Sequence, residues 1–357
     1  MSDSIPTFTP GMPVQIGSID RELKKLWESG HGAATRASLI NLAVYCGDAS
    51  AMREATALIS ELTQSHACRA ILIATDPGTR EPHVQAWISA HCHLGGTVKT
   101  KQICCEQITF LLDGDSRGMI PGIVFSHLDS DLPLYLWWRE KFSNLLDDQL
   151  LSRVDRLIFD SQTCSSPKSR FHCSLAGIAE GNPRLVLCDL NWTRTLYLRQ
   201  ALAQIFDQPD NLSELGKIKD VTITHSPPFR CTALLLAGWL IAQLGWKIEK
   251  PGKESFEFSN AGVRGELKFV AGGGDMQVGE CSLCSENACF RIARQPGSEF
   301  LHADVCTPNG CELHHLLPPG RDDVIHLLNE ELMRGGRHQV YLRALAATEQ
   351  LWQATFQ

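Results

Sequence analysis

The sequence predicts an α/β protein of two domains, each a sheet packed with helices, the second with an antiparallel C-terminal sheet and two closing helices. Three observations point there. From residue 36 onward, short apolar runs alternate with stretches of helical periodicity. Residues 254–317 switch to period-2 segments broken by glycine turns, the pattern of antiparallel strands. The 357 residues suffice for two domains of about 100–200 residues each. We divide the chain into an N-terminal segment 1–32, a first α/β domain 33–165 and a second α/β domain 166–357, with Ser165-Ser166-Pro167 as the boundary.

Each element has its own signal. Ile19, Leu23, Leu26 and Trp27 form a short amphipathic helix in an otherwise Pro/Thr-rich lead-in. The run from Ser38 to Cys46 is a buried strand ended by Gly47. Asp48 then caps a helix that aligns Met52, Ala55, Ile59 and Leu62 on one face. Arg69 to Thr75 is a second buried strand, stopped by Asp76-Pro77-Gly78. Val84–Leu94 and Gln102–Leu112 form an extended pair, followed by a helix from about Ser116 to His127. The run Leu132 to Trp138 is apolar on both faces, as a strand covered on both sides must be. Further strands fall at 156–161, 185–188 and 220–224. Helices fall at about 194–206 and, strongly apolar, 229–244. Two helices close the chain, about 322–334 and 339–352, the first with acids at its start and Gly335-Gly336 behind it.

Composition narrows the function. Lysine plus arginine number 33 and aspartate plus glutamate 40, a net charge of −7 without like-charge runs. Neither nucleic acid nor an anionic membrane surface is an expected partner. The first residues lack a basic n-region and an apolar h-region. The longest apolar stretch, Thr232–Trp246, is too short to span a bilayer, so a cytoplasmic protein is expected. In that compartment the 14 cysteines start out as thiols.

Catalytic signals are sparse. Gly114-Asp115-Ser116-Arg117-Gly118 reads as G-x-S-x-G between a strand and a helix, the setting of a nucleophile elbow. His93-Leu94-Gly95-Gly96 stands upstream, and Asp189 and His225 could complete a triad. This is the alternative function, a serine hydrolase of α/β type. The competing reading is that Asp115 or Ser116 caps the helix and the glycines turn the chain. Gly272-Gly273-Gly274-Asp275 lacks the third glycine of a dinucleotide fingerprint, and Gly216-Lys217 and Gly252-Lys253 lack the Ser/Thr of a phosphate loop. No cofactor is therefore expected.

The cysteines Cys281, Cys284, Cys289, Cys306 and Cys311 admit three readings: ordinary thiols, a redox pair at Cys281/Cys284, or a zinc site. Only one tight C-x2-C is present for zinc, so no metal site is assigned. Trp137-Trp138-Arg139 and Trp192-Thr193-Arg194 stand at strand ends, where α/β sheets place ligand or partner sites, and Trp and Arg are hot-spot residues. Core packing is the equal alternative for both strings, whereas Trp239, on its apolar helix, reads as core.

The same text carries a family resemblance. It runs through Arg36-Ala37-Ser38-Leu39-Ile40-Asn41-Leu42, Arg69-Ala70-Ile71-Leu72, Asp131-Leu132-Pro133-Leu134-Tyr135-Leu136-Trp137-Trp138 and Asp160-Ser161. It continues in Asp189-Leu190-Asn191-Trp192-Thr193-Arg194, Leu236-Ala237-Gly238-Trp239-Leu240 and Leu327-Leu328-Asn329-Glu330-Glu331-Leu332 with Val340-Tyr341. In these strings the chain resembles the OpcA family, the glucose-6-phosphate dehydrogenase assembly (activator) proteins of cyanobacteria and other bacteria. The resemblance implies a non-catalytic protein that binds glucose-6-phosphate dehydrogenase and favours its active oligomer, serving the oxidative pentose phosphate pathway. It implies no catalytic residues. In cyanobacterial members thiol redox state bears on activation. Partner-binding residues are expected at Trp137, Trp138, Arg139, Trp192 and Arg194, and redox residues at Cys281 and Cys284.

Overall fold

In a computed structural model the described residues are 10–29, 34–76, 83–94, 102–114, 116–140, 148–163, 177, 181–182, 184–250, 252–272, 277–294, 298–336 and 338–356. They form two compact units. The first comprises 1–159, 182–188 and 328–335, the second 160–181, 189–327 and 336–357. The boundary expected at Ser165-Ser166-Pro167 lies outside the described residues. Both sheets carry helices, and the second is mostly antiparallel, as expected.

The strands of the first sheet are β1 (Met12–Val14), β2 (Ala34–Arg36), β3 (Ile40–Cys46), β4 (Cys68–Asp76), β5 (His83–Leu94), β6 (Gln102–Asp113), β7 (Leu134–Trp138), β8 (Arg156–Phe159) and β9 (Val186–Asp189). Their order is β1-β5-β6-β4-β3-β7-β8-β9, with β2 paired to β6. β6, β4, β3, β7 and β8 run parallel, whereas β5 and β1 turn antiparallel at one side. β3 is buried from Asn41 to Cys46 and β4 from Cys68 to Thr75, on both pleat faces, which is why these runs lack polar alternation. The helix Met52–Leu62 packs Met52, Ala55, Ile59 and Leu62 on this sheet, and Asp48 accepts from Ser50 N and Ala51 N ahead of it. Asn41, fully buried, holds the following crossover. Its Nδ2 donates to the carbonyls of Asp129 and Leu132 at 3.1 Å, and its Oδ1 accepts from Asp129 N at 2.8 Å.

The helix expected at 116–127 is a 3-10 turn, Arg117–Met119, leading into a helix Ile120–Ser126. Pro121 is accommodated because the first turn of a helix needs no N–H from it.

The second sheet consists of β10 (Asp220–His225), β11 (Lys247–Lys250), β12 (Ser255–Asn260), β13 (Val263–Ala271), β14 (Val278–Cys284), β15 (Cys289–Arg294), β16 (Leu301–Thr307) and β17 (Gly310–Leu317), in the order β11-β12-β13-β10-β14-β15-β16-β17. Only β10 and β13 pair in parallel. One face carries Val221, Ile223, Leu267, Phe269, Leu283, Phe290, Ile292 and Ala303. It is covered by the helices Leu196–Ile205 and Arg230–Leu244, with Gln339–Phe356 packed on the latter. The single helix expected at 194–206 is two, Leu190–Arg194 and Leu196–Ile205, because Asp189 caps the first through Asn191 N and Thr195 interrupts them.

Candidate functional site

The polar centre of the second unit grows from two aspartates that each follow a short apolar strand. Asp189 ends β9 in extended conformation and is fully buried. Its Oδ1 accepts from Ser161 N and Asn191 N, both at 3.0 Å, and its Oδ2 accepts from the Tyr341 hydroxyl at 3.1 Å. Asn191, equally buried, donates from Nδ2 to Ser161 Oγ at 3.0 Å and accepts from Thr232 Oγ1 at 2.6 Å. Burial pushes the Asp189 carboxyl up to about 7, the Asp160 charge adds to this, and the Ser161 and Asn191 N–H groups oppose it.

The second aspartate, Asp160, meets Arg194 fork to fork, NH1 to Oδ1 at 2.7 Å and NH2 to Oδ2 at 2.6 Å. Arg194 Nε donates to Asp322 at 2.6 Å. Such two-point pairing fixes the guanidinium plane as well as its position. Beside it, Arg199 lies 3.3 Å above the Trp192 ring, whose other neighbour is Tyr341 at 5.5 Å. Above this network opens a small cleft of about 140 Å3. Its walls include Arg194, Thr195, Gln277, Arg294, Arg321 and Asp322.

The tryptophans expected at a partner surface are core residues. Trp192 is 4% exposed, Trp137 3% and Trp138 2%. Trp138 stacks on Tyr45 at 4.1 Å, and Arg139 lies 5.0 Å over Trp137 while its NH2 pairs with Glu54 at 2.7 Å. Arg194 is committed to two carboxylates. Both strings stand at strand ends, with their rings buried in the core and their arginines paired to carboxylates. Trp137-Trp138-Arg139 also belongs to the first unit and Trp192–Arg194 to the second.

The expected Cys281/Cys284 pair is not formed. Three residues apart on β14, the two point to opposite faces. Cys281 is fully buried among the core, a thiol whose pKa burial raises strongly. Cys284 is bonded to Cys289, and Cys306 to Cys311. Sheet register explains this. Cys284 opposes Cys289, Cys289 opposes Cys306, and Cys306 opposes Cys311, so the four form one row across β14–β17 on the face away from the helices. A further disulfide joins Cys92 and Cys104, opposed on β5 and β6. The expectation that the cysteines all stand as thiols is corrected at these six positions, where directly opposed strand positions bring the sulfurs within bonding reach. The free cysteines among the described residues, Cys46, Cys68, Cys105, Cys188, Cys231 and Cys281, are all buried.

Each described member of the hydrolase constellation is engaged in contacts of its own. Ser116 is 2% exposed and its hydroxyl donates to the Asp113 carbonyl at 2.7 Å. Asp189 is saturated by the donors named above. His225 is buried, with Nδ1 at 3.0 Å from the Ser226 carbonyl. Asp115, Gly95 and Gly96 lie outside the described residues. Among the described residues no helix is long and apolar enough to cross a membrane.

Sequence reasoning gave no functional role to Asp160, Arg294 or Arg321, and weighed Asp189 as a triad candidate and as part of a family string. The available signal was an aspartate closing a short apolar strand, with Ser161 next after Asp160 and Asn191 two residues after Asp189.

Comparison with known proteins points to one family. Two family models match, the glucose-6-phosphate dehydrogenase subunit N-terminal domain over residues 59–174 and its C-terminal domain over 186–345. The OxPP cycle protein OpcA of Synechocystis sp. is 29% identical over 325 residues, covering 82% of this chain. That match spans 65% of the relative's own length, just under two thirds. The protein of the same name from Synechococcus elongatus is 26% identical, covering 81% of this chain and 68% of its own. Among solved structures, an aldose-aldose oxidoreductase from Caulobacter crescentus has a TM-score of 0.46 and 10% identity over 88% of this chain and 97% of its own, a likeness that says nothing of function. With matching models over both its halves and the motif strings in order, the chain belongs to the OpcA family of glucose-6-phosphate dehydrogenase assembly proteins.

Proposed function

We propose that this chain is a non-catalytic accessory protein that binds glucose-6-phosphate dehydrogenase and promotes its active oligomer, supporting the oxidative pentose phosphate pathway. The observation that carries the reading is the pair of family models over 59–174 and 186–345. The dispersal of Ser116, Asp189 and His225 into unrelated hydrogen bonds agrees with it. An accessory protein raises activity only by binding the active form of its partner more tightly than the inactive one. A differential of about 1–3 kcal/mol changes apparent substrate affinity by about 5- to 150-fold.

The four-cysteine row, rather than Cys281, is the part of the chain through which thiol chemistry would modulate this partnership. It lies across β14–β17 on the face opposite the helix-packed core, and reduction would free four opposed thiols there. The test is to assay glucose-6-phosphate dehydrogenase from the same source with and without the chain, in its oxidised and reduced forms. A several-fold fall in substrate KM on addition, altered by Cys306→Ser with Cys311→Ser, is expected. An unchanged KM together with no co-elution by size exclusion sinks the proposal.

A further inference from the structure

A strand without a neighbour on one side leaves alternate backbone N–H and C=O groups open to pairing with another chain. Among the described residues the two sheets have four such edges, and three of them are blunted. β1 is three residues long and contains Pro13, and β9 is four residues long. β11 has four residues, of which Lys247, Glu249 and Lys250 are charged and exposed. The fourth edge, β17, differs. It runs for eight residues, Gly310–Leu317, without lysine, arginine or proline, and six of the eight are exposed. Its one strand partner among the described residues is β16, and Leu313 and Leu316 stand 53% and 52% exposed.

One irregularity in β17 decides how this edge can pair. His315 opposes Ala303 and Leu313 opposes Asp304, so His314 between them is bulged out of the ladder. Opposed residues share a sheet face, so Leu313 lies with Asp304 and Leu316 with His302. Both leucines therefore lie on the face away from the core side, which holds Leu301 and Ala303. In an unbulged strand, positions 313 and 316 would fall on opposite faces. Leu313-His314-His315-Leu316 is a palindrome, and the bulge sets its two leucines on one face. A two-fold axis perpendicular to the sheet, between His314 and His315, then sets Leu313 opposite Leu316 of a second copy. Leu316 meets that copy's Leu313, and four half-exposed leucines cover one another. Glu312, the strand's one carboxylate, falls opposite Leu317 of the second copy rather than a like charge. Such self-matching is what an isologous interface requires.

We propose that two copies of this chain pair antiparallel through β17, joining their second-unit sheets into one continuous sheet. The inference concerns the chain alone and does not rest on its partnership with the dehydrogenase. It is tested by sedimentation equilibrium of the full chain, without dehydrogenase, at about 1–100 μM, a range suited to a small interface. A reversible monomer–dimer equilibrium is expected. Leu313→Lys with Leu316→Lys, both at exposed positions, should weaken the dimer at least tenfold while leaving the circular dichroism unchanged. Leu313→Glu with Leu316→Lys should restore it, because the axis sets the acid of each copy against the base of the other. Glu249→Lys, on the opposite edge of the sheet, should leave the equilibrium as in the natural chain. A chain that stays monomeric throughout overturns the proposal, as does a dimer indifferent to the double lysine variant. So does a dimer that the two lysines break and the oppositely charged pair fails to restore. If the chain alone is monomeric but the double lysine variant loses co-elution with the dehydrogenase, the edge receives a strand of that enzyme and the second-copy reading fails.

Discussion

Asp189 shows how one side chain can be structural and titratable together. Three donors reach it, yet complete burial outweighs them and its carboxyl sits near 7 against an ordinary value of 3.8. The folded chain therefore favours the protonated form. The stability this group contributes is present in full below about 4 and is lost as pH rises from there to about 7. Asp189→Asn cannot ionise, so thermal midpoints of variant and natural chain should converge, or cross in the variant's favour, between pH 5 and pH 8. The upper bound is about 4 kcal/mol at about 1.4 kcal/mol per pH unit. A constant difference across that range would show that the carboxyl is already ionised at pH 5. Thiols obey the same rule. Burial pushes Cys46 up to about 11 and Cys231 to about 12. Native alkylation at pH 8 should spare these and Cys281, whereas after dithiothreitol Cys284, Cys289, Cys306 and Cys311 should label first, read by peptide mass. Labelling of Cys281 together with Cys284 would show that the register of β14 is wrong.

At the scale of elements, the central helix Arg230–Leu244 is apolar around most of its girth, with ten buried residues, because it lies between the second sheet and the helix Gln339–Phe356. Gly238 faces the helix Gln339–Phe356. A Cβ there would stand 2.0 Å from Thr348 Oγ1 and 2.6 Å from the Ala344 carbonyl. Gly238→Ala must push the helices apart, and overpacking of this kind costs about 1–3 kcal/mol. Gly122 is the opposite case, a glycine inside the helix Ile120–Ser126 with no atom within 4 Å of an added Cβ. Gly122→Ala should stabilise by about 0.5–1 kcal/mol through helix propensity alone. Thermal unfolding of the two variants should thus shift in opposite directions. A shift of the same sign would mean that the helix pairing at Gly238 is looser than its contacts indicate.

For the whole molecule, each unit has its own sheet and its own polar centre, and the chemistry lies beside the sheets rather than across them. The first unit spends its buried charges on structure. Arg36 and Arg69 reach Asp129 at 2.6 Å and 2.9 Å, and Arg36 Nε meets Glu106 at 3.1 Å, joining β2, β4 and β6 to the crossover ahead of β7. The second unit ties Arg194 to Asp160 and Asp322 and Arg321 to Asp323.

Much of this was legible from residues alone. β3, β4 and β7 could be read because strands buried on both faces leave uninterrupted apolar runs, and the helix at 52–62 because its apolar spacing and the Asp48 cap agree. The antiparallel half declared itself by period-2 text, and the family by its ordered strings. Register and burial were beyond such reading. A C-x2-C spacing on a strand looks like a pair, but alternation sends Cys281 inward and Cys284 outward, while register hands Cys284 to Cys289. Trp137, Trp138 and Trp192 look like anchors in text, and only packing decides whether an aromatic ring faces a partner or its own core. Arg194, Arg294 and Arg321 are a hundred residues or more apart at the extremes, so nothing local announces their cleft. The sequence by itself determined the elements and the family, because both are written in near-neighbour patterns. The tertiary structure alone decided which side chains meet, because that depends on pairing between strands distant in the chain.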